Sequence, residues 1–146
     1  MASSRWNVYN GFVTARGKTR KRGSREESAF LELLRTTDML SRRLSQTLKK
    51  EELSGTQYNV LRILRGAPAG LSCGEIGNRM ITRDPDITRL LDRLEKRGLI
   101  SRSRETRDRR TVIVRMAPAG LGIVGRLDES VQAVHREQLG HLVRND

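Results

Sequence analysis

Around Gly98 the apolar pattern of this chain switches from helical to alternating. Before it, Ile87, Leu90, Leu91 and Leu94 form one stripe at helical spacing, while Asp86, Arg89, Arg93 and Lys96 fall on the opposite face. This helix is expected to open at Asp84, with Pro85 at its first position, where a missing N–H costs nothing. Gly98 is its C-terminal stop. After it, Val112, Val114 and Met116 point one way along a strand and Thr111, Ile113 and Arg115 the other. The segment before the turn carries Arg102 and Arg104, and the turn itself reads ETRDRR, almost wholly charged. The pattern predicts a basic helix followed by a two-stranded hairpin with an arginine-rich tip.

Two capping boxes precede this unit. Ser72 and Glu75 stand as S-x-x-E, an arrangement in which each side chain satisfies a free backbone donor. Leu71 and Ile76 flank that box at the staple positions, and Met80 shares a face with Ile76. Ser54 and Gln57 form the second box, with Leu53 and Tyr58 as its staple, and Val60, Leu61 and Leu64 facing inward. That helix ends near Arg65, and GAPAG at residues 66–70 follows as a turn or short strand. The order is therefore helix, helix, turn, basic helix and hairpin.

Such a layout suits major-groove reading. A helix held by its apolar face presents Thr88, Arg89 and Arg93 outward, where they reach base edges or phosphates. Arginines at a hairpin tip are drawn electrostatically to a narrow minor groove. Taken alone, an amphipathic helix with outward arginines is more often a solvated surface helix. The ordered combination is what narrows the reading.

The segment DITRLLDRLEKRGLISR, followed by RDRR, resembles the signature of MarR-type regulators. These are winged helix-turn-helix transcription factors, mostly dimeric. The resemblance covers roughly Glu27 to the C-terminus and is strongest from Thr88 to Val114. It implies a mainly α fold with a small β-hairpin wing, in which a winged helix-turn-helix is joined to a helical dimerisation region. In that frame residues 54–116 bind DNA, and the helices over 27–50 and 118–144 dimerise. The implied partners are a palindromic double-stranded operator, a second copy of the chain and a small aromatic ligand. The family's Asp-x-Arg falls on Asp108 and Arg110, so Arg110 is the minor-groove candidate and Asp108 its orienting partner. The full DNA-contact set is Ser72, Asp86, Thr88, Arg89, Arg93, Arg102, Arg104, Arg107, Asp108, Arg109 and Arg110. The implied function is sequence-specific regulation, most simply repression relieved by a small ligand or an oxidant. The alternative is a winged-helix architectural or protein-interaction module with non-specific DNA affinity.

This sequence departs from the family at one cap and in one length. Ala117 stands where members often have a capping Thr, and Gly120, Gly122 and Gly125 weaken the helix that follows, each by up to about 1 kcal/mol against Ala. The chain also ends early, at Asp146, whereas the family's dimer usually clasps with a longer final helix, so a looser dimer is expected. Upstream, Phe30, Leu33, Leu34, Leu40, Leu44 and Leu48 keep helical spacing from Glu27 to Lys50. Downstream, Leu121, Val124, Leu127, Val131 and Val134 share a face, with Leu139 and Leu142 in a last turn.

The 146 residues suit one domain with a modest core. Lys and Arg number 29 against 17 Asp and Glu, a net +12 that favours a polyanionic partner. Residues 1–25 carry seven of those positive charges and no acid, and read as a basic, disordered tail. Trp6, Val8, Tyr9, Phe12 and Val13 interrupt it as the makings of a short arm. With one Cys, no internal disulfide forms, which suits a reducing cytoplasm. Neither a membrane span nor a secretory leader is expected. His135 and His141 lack a ligand partner at a recognised spacing, so neither a metal nor a cofactor is expected. No catalytic motif stands out, and the chain reads as a non-enzyme. Cys73 lies in the first turn of a helix and reads as a small packing residue rather than a redox sensor.

Overall fold

Both capping boxes form. Ser54 accepts from the Gln57 amide and Gln57 Oε1 from the Ser54 amide, opening α2 at Gly55–Arg65. Ser72 and Glu75 do the same for α3, Cys73–Arg79. The computed structural model describes residues 23–82, 84–104 and 111–142. The chain divides into two compact units, residues 1–34 and residues 35–146. In the first, Ser24 Oγ accepts from the Glu27 amide at 3.1 Å, so α1, Arg25–Leu48, opens two residues before the expected Glu27. The basic tail falls on residues 1–25, of which 1–22 lie outside the described residues.

The second unit contains the end of α1, a 3-10 turn at Lys49–Glu51, α2, β1 (Leu71–Ser72), α3, α4 (Ile87–Lys96), β2 (Ile100–Arg104), β3 (Val112–Met116) and α5 (Pro118–Leu139). The expected hairpin forms from β2 and β3, and the short β1 joins it as a third strand. Antiparallel order is β1-β3-β2, with Leu71 opposite Val114 and Arg102 opposite Val114 on the other edge. Residues 71–72 therefore serve twice, as a sheet edge and as the cap of α3.

The start of α4 also differs from expectation. The carboxylate of Asp84 accepts from the Asp86 amide at 2.9 Å, which makes Asp84 a turn residue. Asp86 is the cap, accepting from the Arg89 amide at 3.2 Å, and the helix opens at Ile87 with Pro85 in the turn before it.

The core closes over the helix-turn-helix. Leu48, Val60, Leu61, Leu64, Ile76, Leu91, Leu94, Val114 and Val124 are fully buried, drawn from five helices and the central strand. Cys73 packs against this cluster, half-buried. Gly120 answers a packing need that helix propensity hides. A Cβ there would stand 2.2 Å from the Leu99 carbonyl oxygen. That same oxygen accepts from the Ala117 amide at 3.0 Å, so the first turn of α5 seats directly on the backbone after Gly98. Ala117 caps the helix in extended conformation without a side-chain bond, as its methyl dictates.

Candidate nucleic-acid interface

Helix α4 is fixed from three sides. Leu90, Leu91 and Leu94 are buried beneath it, and Ile87 packs partly against the same cluster. Its C-terminal end is tied by Arg97, which donates to the carbonyl oxygens of Glu51 and Glu52 at 2.9 and 2.8 Å. Glu51 in turn holds Arg126 of α5 through two bonds of 2.9 Å, and that guanidinium keeps the Glu51 carboxyl below its usual range. On its flank, Arg102 of β2 donates through Nε to Glu95 at 2.9 Å and through Nη2 to Asp92 and Glu95. The hydrogen bond from Arg102 is the main cause of the lowered Glu95 pKa. The turn before α4 is tied as well, because the Ile81 amide donates to Asn59 Oδ1 of α2 at 3.1 Å.

What this scaffold leaves outward is the polar face. Thr88, Arg89 and Arg93 are exposed together on α4. Arg89 stands 3.3 Å from Asp86, one turn away, so its cap also orients it. Beside them a polar cleft of about 290 Å³ is lined by Ser54, Thr56 and Gln57 of α2 and by Asp84, Asp86, Arg89 and Arg93. The α2 side of that cleft was outside the expected contact set. Its signal in the sequence was the Ser54 box, which reads only as a helix start.

The remaining expected contacts are placed differently from one another. Ser72 has its hydroxyl engaged with Glu75, as a cap. The guanidinium of Arg102 is occupied by two carboxylates and acts as the bracket between β2 and α4. Arg104 is exposed on β2, two residues after Arg102. Arg107, Asp108, Arg109 and Arg110 lie outside the described residues.

This arrangement is a helix-turn-helix with a sheet alongside, and the comparisons with known proteins agree. The family model described as MarR family matches residues 53–112. The crystal structure of a MarR transcription factor from Planctomyces limnophilus superposes with a TM-score of 0.70 at 41% identity, covering 84% of this chain and 89% of that one. This chain belongs to the MarR family. MarR membership carries the winged helix-turn-helix fold and a transcriptional-regulator class that is not enzymatic. The regulator PecS of Dickeya dadantii is 31% identical over 99 residues, 66% of this chain and 60% of that protein, so this chain spans about three fifths of that curated relative. A mutant MarR of Escherichia coli, solved with operator DNA, shares the fold at 24% identity and a TM-score of 0.72, covering 82% of this chain and 86% of that one.

Within the MarR fold, the matched span begins at Leu53 and ends at Val112, and so brackets α2, α3, α4 and β2. Those are the elements that bury the stripe of α4 and turn its arginines outward. Among the described residues, no helix is long and apolar enough to cross a membrane.

Proposed function

We propose that this MarR-family chain is a sequence-specific DNA-binding regulator acting as a homodimer on a palindromic operator in the cytoplasm, most simply as a repressor. The observation that carries this is α4 itself: three leucines buried inward, Thr88, Arg89 and Arg93 exposed outward, with the turn before it tied to Asn59 and its C-terminal cap tied to Glu52. In this reading Arg89 and Arg93 contact base edges in the major groove, with Thr88 beside them. Ser72 and Asp86 cap the helices that approach the DNA. Arg104, Arg107 and Arg109 neutralise phosphates, and Arg110, oriented by Asp108, enters the minor groove. The Escherichia coli relative, solved with operator DNA, supports DNA binding by this fold.

Relief of repression by a small ligand completes the reading. A cleft of about 190 Å³ beside the later half of α1 and α5 is lined by Arg43, Gln46, Thr47, Lys50 and Val134, where Lys50 and the Glu137-paired Arg43 supply positive charge for an anionic ligand. The PcaV regulator of Streptomyces coelicolor, solved with its natural ligand, supports ligand control in this fold.

Selection of bound sequences from a random DNA pool tests the proposal. One palindromic motif, with half-sites about one helical turn apart, is the expected result. A pool that stays unenriched while the protein still retains DNA points instead to the non-specific architectural module.

A further inference from the structure

The turn between α3 and α4 holds one side chain that neither the core nor the arginine set explains. Ile81 is 87% exposed, the most exposed large hydrophobic among the described residues. The other exposed large hydrophobics lie on α1, on β3, on α5 and in a 3-10 turn at Gly140–Leu142. Ile81 alone belongs to the helix-turn-helix.

Its outward position is built, not incidental. Met80 before it is in extended conformation, with ψ 139, and only 8% exposed, so it fills the core. Successive residues of extended backbone point to opposite sides, which sends Ile81 out as Met80 goes in. The Ile81 amide is then pinned to Asn59 Oδ1 at 3.1 Å, which fixes the backbone at that residue to α2. A β-branched side chain on a pinned backbone is stiff at χ1. The result is a rigid apolar probe a few residues before the capped start of α4.

A helix-turn-helix brings the N-terminal end of its second helix to the base edges, and the turn arrives with it. The major-groove floor is lined with donors and acceptors, and its apolar group is the C5-methyl of thymine. An isoleucine next to a donor or acceptor would strip its water without replacing the bond. Next to a methyl it removes apolar surface from water on both sides. We infer that Ile81 is a specificity-determining residue that reads a thymine methyl in each half-site, outside the bases read by Arg89 and Arg93. The inference rests on the proposed role of α4 as the base-reading helix.

The test uses the full chain and the motif it selects. Each thymine is replaced in turn by deoxyuridine, which deletes only the methyl. The wild-type chain is expected to lose roughly fourfold in affinity at one thymine per half-site, the worth of about one buried methyl. Ile81→Ala is expected to bind the thymine and deoxyuridine operators alike at that position while keeping its discrimination at the base pairs read by Arg89 and Arg93. Ile81→Val, which retains the branched Cβ, is expected to keep part of the methyl effect. Identical deoxyuridine profiles for wild type and Ile81→Ala overturn the inference and leave the role of α4 standing. So does a change in oligomeric state on Ile81→Ala with the profile intact, because Ile81 then serves a protein contact. A wild-type chain that selects no motif overturns the role of α4 as well, so the two failures are distinct.

Discussion

At the first turn of α5, Ala117 and Gly120 act in opposite directions. Ala117 has the extended backbone of a cap and no acceptor, so one of the free amides above it goes without a side-chain partner. Ala117→Ser or Ala117→Thr is expected to stabilise the fold by about 1 kcal/mol. Gly120→Ala drives a Cβ into the Leu99 carbonyl oxygen, a backbone atom that cannot swing aside. The expected cost is about 1–3 kcal/mol, the range for overpacking, despite the better helix propensity of Ala. Midpoints of urea unfolding compare the variants, and a Gly120→Ala protein as stable as wild type would contradict this account. The cap defect was legible in the sequence because capping is a local rule. The need for Gly120 was not, since the oxygen it meets lies 21 residues earlier in the chain and propensity alone reads such a glycine as a weakness. The outward arginines show the same division. Helical spacing put Arg89 and Arg93 on the polar face of α4, but nothing local showed that Arg102 would face Asp92 and Glu95 rather than solvent.

Elements were legible where one rule settled them and ambiguous where two competed. Both capping boxes and the leucine stripe of α4 appear as the periodicity indicated. The segment Asp84-Pro85-Asp86 offers two capping aspartates, and the choice between them rests on a turn bond from the Asp86 amide to Asp84. Strand β1 is two residues long, too short to show alternation, and exists only because β3 pairs with it. The bracket from β2 to α4 yields an element-scale prediction. Hydrogen bonding from Arg102 lowers the folded-state pKa of Glu95 below its unfolded value. Its stabilising effect is therefore present above the ordinary carboxylate pKa and is lost as pH falls through the lowered folded value. Melting temperatures followed from neutral pH down through the carboxylate range should show that loss in wild type. Arg102→Met should start from a lower melting temperature and show a smaller acid-dependent decline. At a temperature where both are folded, Arg102→Met should bind operator DNA with less loss than Arg93→Ala. A larger loss would make Arg102 a DNA contact in its own right.

For the whole molecule, the apolar residues left in water set the oligomeric expectation. In residues 1–34, Phe30 and Leu33 are 60% and 68% exposed; in residues 35–146, Met39 and Leu142 are 60% and 68% exposed. Within each unit, side chains of this size outside the DNA-facing elements fit an interface with a second copy. Light scattering at micromolar concentration should return a dimer, and Leu33→Glu should shift it towards monomer with a parallel loss of operator affinity. A monomeric wild type would sink this expectation. Charge gives the second prediction at this scale. Residues 1–22 carry Arg5, Arg16, Lys18, Arg20, Lys21 and Arg22, half of the net +12, and no acid. Removing them spares Ser24 and the start of α1. Each phosphate neutralised by a protein cation steepens the fall of log K with log salt by about 0.9. If the six cations all meet phosphates, the deletion should flatten that slope by up to about five per chain. Because phosphates carry no sequence information, affinity should drop for operator and random DNA alike, and the selected motif should stay the same. Binding isotherms across a salt series, with both DNAs and both proteins, measure slope and preference together. An unchanged slope would show that the tail does not touch the backbone, and a changed motif would make it a base-reading arm, with Trp6, Tyr9 and Phe12 the first residues to substitute.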